Sequence, residues 1–145
     1  MQAAVLSVDE LERLLSDEFP QAFNPNSGLA ILEVWHGGAR VRRGFKASAL
    51  RPGRTISGPA IMALADVTIY IAILASIGWQ PLAVTTNLNI NFLRKPPIGT
   101  LIAEGRLIKL GQRLAVGEVG LRSDGQDDLV AHATATYSIP PRPKS

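Results

Sequence analysis

The chain has no cysteine among its 145 residues. That excludes disulfides and thiolate metal sites, and it suits a reducing cytoplasm, where the protein is expected to reside. Histidine is nearly as scarce: His36 and His132 stand far apart without ligand spacing, so no metal site is expected. Residues 1–6 lack a basic stretch followed by an apolar run, so no secretory signal is expected there. The basic residues lack interleaved aromatics and no nucleic-acid motif occurs, so nucleic acid is not an expected partner. Acids are missing from 40–54, which holds Arg40, Arg42, Arg43, Lys46, Arg51 and Arg54. Such a run suits either a phosphate-bearing partner or a solvated strand face and loop.

What is present fits one ordinary domain. A chain of this size buries roughly 68–70% of its unfolded surface and needs no staples. The expected division is an N-terminal helix and loop at 1–28, a main body at 29–139 and a proline-rich tail at 140–145.

Residues 7–19 read as a short amphipathic helix. Ser7 caps it, Glu10 returns the bond in a capping box, and Val8, Leu11, Leu14 and Leu15 form the apolar stripe. Segments 29–35 and 39–45 read as strands joined by a His36-Gly37-Gly38 turn. Residues 46–56, with Pro52 and Gly53, read as a loop. A long helix follows over 57–77: Ser57 is a good N-cap, Pro59 fits the first turn, and Gly78 ends it. Fourteen apolar residues between Ala60 and Ile77 surround one charged side chain, Asp66. A helix apolar all round either spans a membrane or is enclosed by protein. The mid-helix carboxylate and the amphipathic strands that follow favour enclosure, so no membrane is expected as a partner.

Residues 82–93 alternate without a fault. Leu82, Val84, Thr86, Leu88, Ile90 and Phe92 face one way; Ala83, Thr85, Asn87, Asn89, Asn91 and Leu93 face the other. Three more strands are expected at 101–110, 114–121 and 129–139, with tight turns at Gly111-Gln112 and Asp124-Gly125. Consecutive antiparallel strands wrapped on one long helix describe an α+β domain.

The run Ser57-Gly58-Pro59-Ala60, then Ala63-Leu64-Ala65-Asp66, followed by Val84-Thr85-Thr86-Asn87-Leu88-Asn89-Ile90-Asn91-Phe92, resembles the hot-dog-fold thioesterases of the phenylacetate-degradation (PaaI-type) family. The likeness covers roughly 29–139. It implies a hot-dog fold, an antiparallel sheet around one central helix, and hydrolysis of acyl-CoA thioesters by a homodimer or dimer of dimers. No separate cofactor is implied, coenzyme A being part of the substrate. The family pattern at the helix start is commonly His-Gly-Gly, with the catalytic carboxylate eight residues after the first Gly. Gly58 and Asp66 match that Gly and that carboxylate, and Thr85 matches a Ser or Thr of the next strand. Ser57 and Pro59 replace the His and the second Gly, and no amide stands near Arg51, where some members carry one.

The implied chemistry is physically reasonable. Asp66 can act as general base for water or attack directly, and residues alone do not choose between these. A helix N-terminus suits a developing oxyanion, and Gly58 presents its N–H without a blocking side chain. Thr85 can hold a water or simply sit on the strand surface. Ser57 and Pro59 would border the substrate, though Ser57 also reads simply as a cap. Arg94, Lys95, Lys109 and Arg113 are candidate anchors for coenzyme A phosphates, each equally readable as surface charge. Eight residues at about 1.5 Å each put Gly58 and Asp66 about 12 Å apart along the helix. If both are catalytic, a second chain must bring its Asp66 to this chain's Gly58. Two alternatives stand beside hydrolysis: a hot-dog protein that binds an acyl thioester without turnover, and a hydratase or dehydratase. The lack of a His in the central helix or its entry counts against the last.

Overall fold

The computed structural model describes residues 2–45, 50–51 and 55–141. Helix α1 (Val8–Glu18) starts with the expected capping box: the Glu10 N–H donates to Ser7 Oγ at 3.2 Å and the Ser7 N–H to Glu10 Oε1 at 3.1 Å. Its Leu11 and Leu15 are fully buried in the main core, so the N-terminal helix packs into the body of the protein. Strands β1 (Leu29–Trp35) and β2 (Gly38–Gly44) form the expected hairpin. Gly37 takes a positive φ of 94° in its turn. The turn is pinned to the central helix by the Gly37 N–H, which donates to Ser76 Oγ at 2.8 Å.

The segment expected as a plain loop holds a two-residue ladder, β3 (Leu50–Arg51) with β4 (Thr55–Ile56). A bridge from Thr55 to Pro97 ties it to a later part of the chain, which fixes the entry to the central helix. Residues 46–49 and 52–54, including Lys46, Pro52, Gly53 and Arg54, lie outside the described residues, as does the tail beyond 141.

Helix α2 (Gly58–Ile77) is followed by β5 (Val84–Phe92), β6 (Thr100–Leu110), β7 (Leu114–Ser123) and β8 (Leu129–Ser138). The six long strands make one antiparallel sheet in the order β1-β2-β6-β7-β8-β5, with α2 packed on one face, mainly over β2 and β6. This is the hot-dog arrangement that the resemblance implies. Two glycines let the helix sit close. A Cβ at Gly105 would fall 2.9 Å from Thr68, and one at Gly117 would fall 2.6 Å from Ile69.

By length and composition α2 could cross a membrane; here most of it is buried against the sheet and α1. The enclosure is incomplete, which corrects the expectation from sequence. Pro59, Met62, Ala63, Asp66, Val67 and Tyr70 are exposed or half-buried. They recur at helical spacing and form one open stripe. Strand β5 lies at the sheet edge beside it, and Val84 and Phe92 are half-exposed.

Candidate active site

Asp66 sits on the open stripe of α2. It is half-buried rather than enclosed. The nearby hydroxyls of α2 do not bind it: Thr68 Oγ1 donates to the Leu64 carbonyl at 2.7 Å and the Tyr70 hydroxyl to the Pro81 carbonyl at 2.9 Å. Two hydroxyls from the sheet bind Asp66 instead. Thr85 Oγ1 and the Tyr137 hydroxyl each donate to Oδ1 at 2.7 Å. Oδ2 has no hydrogen-bond partner among the described residues.

Thr85 reaches Asp66 because β5 is not the faultless strand its alternation describes. Its pairing with β8 slips between Thr85 and Asn87, leaving Thr86 unpaired. Leu88, Ile90 and Phe92 pair with the inward residues Ala135, Ala133 and Ala131, as the alternation predicts. Beyond the bulge the pattern inverts, and Thr85 pairs with the inward Tyr137. A bulge adds one residue and re-aims the side chains on one side of it. The expected grouping of Thr85 with Asn87, Asn89 and Asn91 is therefore corrected.

Tyr137 is a site residue that the sequence reading misses. It closes the inward series Ala131, Ala133, Ala135, where it is the one large side chain with a polar tip, and that contrast is the available signal. It is 3% exposed. Its ring stacks on Tyr70 with centroids 6.2 Å apart, and Phe19 meets Tyr70 edge-on at 6.3 Å. Burial pushes the Tyr137 phenol far above the ordinary tyrosine range, and the Asp66 charge adds in the same direction. Tyr137 is thus a neutral donor at any ordinary pH. Around Asp66 opens a cleft of about 430 Å³, walled by Phe19, Phe23, Ala63, Val67, Tyr70 and Tyr137.

Gly58 lies in a separate cleft of about 450 Å³ with Ile61, Phe92, Arg94 and Lys95. At this helix mouth Ser57 is the cap. Its Oγ accepts from the Ala60 N–H at 3.3 Å and its carbonyl from the Ile61 N–H at 3.2 Å. Pro59 has no N–H. Among the described residues the Gly58 N–H has no acceptor, so it is the one uncommitted donor of the first turn.

The sequence-proposed anchors separate. Arg94 and Lys95 line the Gly58 cleft; Arg94 makes an exposed ion pair with Asp128 at 3.5 Å. Arg113 lines another cleft, with Ile77 at the far end of α2, and donates to the Ile139 carbonyl at 3.3 Å. Lys109 is exposed near the end of β6, where it pairs with Val116 of β7. Neither joins Gly58 within one chain. The basic run also resolves in part: Arg40 pairs with Glu33 at 2.9 Å and Glu104 at 3.2 Å, and Arg43 lies over the Phe45 ring at 5.2 Å. His132 meets Glu118 at 3.3 Å on the outer face of the sheet, and His36 lines the cleft of Arg113. Neither histidine approaches Asp66, as a hydratase reading would require. Among the described residues no cluster of His, Asp and Glu could hold a metal ion.

The family model of the thioesterase superfamily matches residues 53–135, from the helix entry through most of β8. This chain belongs to the thioesterase superfamily. Within it, the chain has the PaaI-type hot-dog fold. A solved structure of a candidate thioesterase from Silicibacter sp. TM1040 is 42% identical, with a TM-score of 0.86 over 97% of this chain and 96% of that one. A variant of the phenylacetic acid degradation protein PaaI from Thermus thermophilus is 27% identical, with a TM-score of 0.67 over 77% of this chain and 93% of that one. A candidate esterase from Saccharolobus solfataricus is 29% identical over 135 residues, which are 93% of this chain and 87% of the relative. Together these likenesses support a hydrolase of thioesters. The superfamily match includes both Gly58 and Asp66.

Proposed function

We propose that this superfamily member hydrolyses acyl-CoA thioesters to the free acid and coenzyme A, with Asp66 as base or nucleophile and the Gly58 N–H at the carbonyl oxygen. The observation that carries the proposal is the state of Asp66, which lines a mostly apolar cleft and whose Oδ2 has no hydrogen-bond partner among the described residues. As a base, Oδ2 takes a proton from water while the water oxygen bonds to the thioester carbon. The carbonyl oxygen gains charge, which a hydrogen bond from Gly58 stabilises. The C–S bond then breaks, and the thiolate leaves and is protonated. As a nucleophile, Oδ2 itself bonds to the carbon, displaces the thiolate, and water cleaves the resulting anhydride.

Gly58 and Asp66 open into different clefts of one chain. The proposal therefore includes a homodimer in which each site takes Asp66 from one chain and Gly58 from the other, with pairing of two such dimers permitted. The open stripe of α2 and the half-exposed β5 edge suit an isologous contact of that kind. In this proposal Arg94 and Lys95, which line the Gly58 cleft, meet the phosphates of coenzyme A. No separate cofactor is involved.

A rival reading, an acyl-thioester binder without turnover, draws on Pro59, which removes the second N–H that a Gly-Gly entry would offer. A panel of short, medium, long and aryl acyl-CoAs with a free-thiol readout decides between them. Thiol release from at least one class, abolished in Asp66→Asn, supports hydrolysis. Tight binding with no release from any class supports the binder.

A further inference from the structure

The proposed chemistry uses Asp66 and Gly58 but gives Tyr137 no task. We infer that Tyr137 is a positioning residue, fixing the Asp66 carboxylate so that Oδ2 is the oxygen presented to substrate. This inference rests on the proposed hydrolytic role of Asp66.

The phenol stands 2.7 Å from Asp66 Oδ1 and 2.9 Å from the Asp66 backbone carbonyl. It has one proton to give. Satisfying a buried phenol requires only one acceptor, and the carbonyl alone would serve. The closer contact is to the carboxylate. A bond to an ionised acceptor is also the stronger kind. Thr85 binds the same oxygen from the other strand at 2.7 Å. Two donors from adjacent strands of one sheet thus converge on Oδ1, and rotation about the Asp66 side chain would cost both bonds.

Tyr137 is itself held firmly. It stacks on Tyr70, whose own hydroxyl is tied to Pro81 and whose edge meets Phe19. Since its phenol stays protonated, it cannot take the proton that Oδ2 receives, and its contribution is geometric. The phenol also contacts the helix backbone of the very residue it orients, so helix and carboxylate are located by one group. This chain of contacts links the reactive oxygen to α1, through Phe19 just beyond its last residue.

The test compares steady-state kinetics of the wild type, Tyr137→Phe, Asp66→Glu and Asp66→Asn on the best acyl-CoA of the panel. Tyr137→Phe keeps the ring stack and removes only the hydroxyl. Its kcat is expected to fall about tenfold, on the scale of one lost charge-assisted hydrogen bond, with KM within about twofold of wild type. Asp66→Glu keeps a carboxylate but carries it past both hydroxyls, and kcat is expected to fall at least about tenfold. It also provides the test should Tyr137→Phe not fold. If Asp66→Asn is inactive while Tyr137→Phe, or in its absence Asp66→Glu, retains kcat within about twofold of wild type, the positioning role is overturned and the hydrolytic reading stands. If Asp66→Asn is fully active, the hydrolytic reading fails, and the positioning role falls with it.

Discussion

At the residue scale, Asp66 and Gly58 were legible because a helix of regular spacing fixes where its residues point. One charge among fourteen apolar neighbours and one glycine at a capped start stand out without coordinates. Thr85 was legible only through resemblance, since simple alternation sends it to the wrong face. Tyr137 stands out only as the one large polar-tipped side chain of an inward alanine series, and nothing local ties it to Asp66. It lies 71 residues from Asp66, and their contact arises from a strand register that no local pattern states. Gly58 carries the clearest single-residue prediction. A Cβ there would lie 3.3 Å from the Phe92 ring, which is half-exposed and can give way. Gly58→Ala is therefore expected to change stability by less than about 1 kcal/mol, since alanine is the better helix former. The methyl group would crowd the approach to the free N–H, so kcat should fall by about 10²-fold, as for loss of an oxyanion donor. Urea melts and steady-state rates of the same preparation check both halves.

At the element scale, α2 is positioned by what the sheet omits. Gly105 and Gly117 leave room for Thr68 and Ile69, and the helix that carries both Gly58 and Asp66 rests there. Gly117→Val should push the helix outward and destabilise the fold by about 1–3 kcal/mol, read as a lower urea midpoint at unchanged slope. The strands on either side were readable from alternation and turn residues. The β3–β4 ladder was not, because two-residue strands carry no period. The aromatic stack between α2 and β8 makes a prediction of its own. Burial raises the Tyr70 phenol from 10.0 to about 12, and Tyr137 is raised further. A group raised in the fold stabilises it fully below its unfolded value and loses that contribution as pH climbs through the folded one. Thermal stability from this stack should hold up to about pH 9 and decline between about pH 10 and 12, the decline being smaller in Tyr70→Phe. A melting temperature measured against pH checks it.

At the scale of the whole molecule, the proposed chemistry needs two groups that one chain keeps apart. Its carboxylate and its helix-mouth N–H face different clefts, its central helix keeps an open stripe, and β5 pairs with β8 on one side and with no strand on the other among the described residues. Spacing along the sequence already implied the separation of Gly58 and Asp66. The open stripe was hidden, because apart from Asp66 its residues are mostly apolar, and hydropathy does not tell an exposed apolar side chain from a buried one. The proposed sharing of each site between two chains is tested most directly by mixing two crippled variants. Asp66→Asn and Gly58→Ala are each prepared, combined under conditions that let subunits exchange, and assayed for thiol release. A mixed dimer pairs the intact Asp66 of one chain with the intact Gly58 of the other, restoring one site of two. Random exchange should then return about a quarter of wild-type activity, well above either variant alone. If exchange is complete and activity stays at the level of the separate variants, Asp66 and Gly58 do not meet across a dimer.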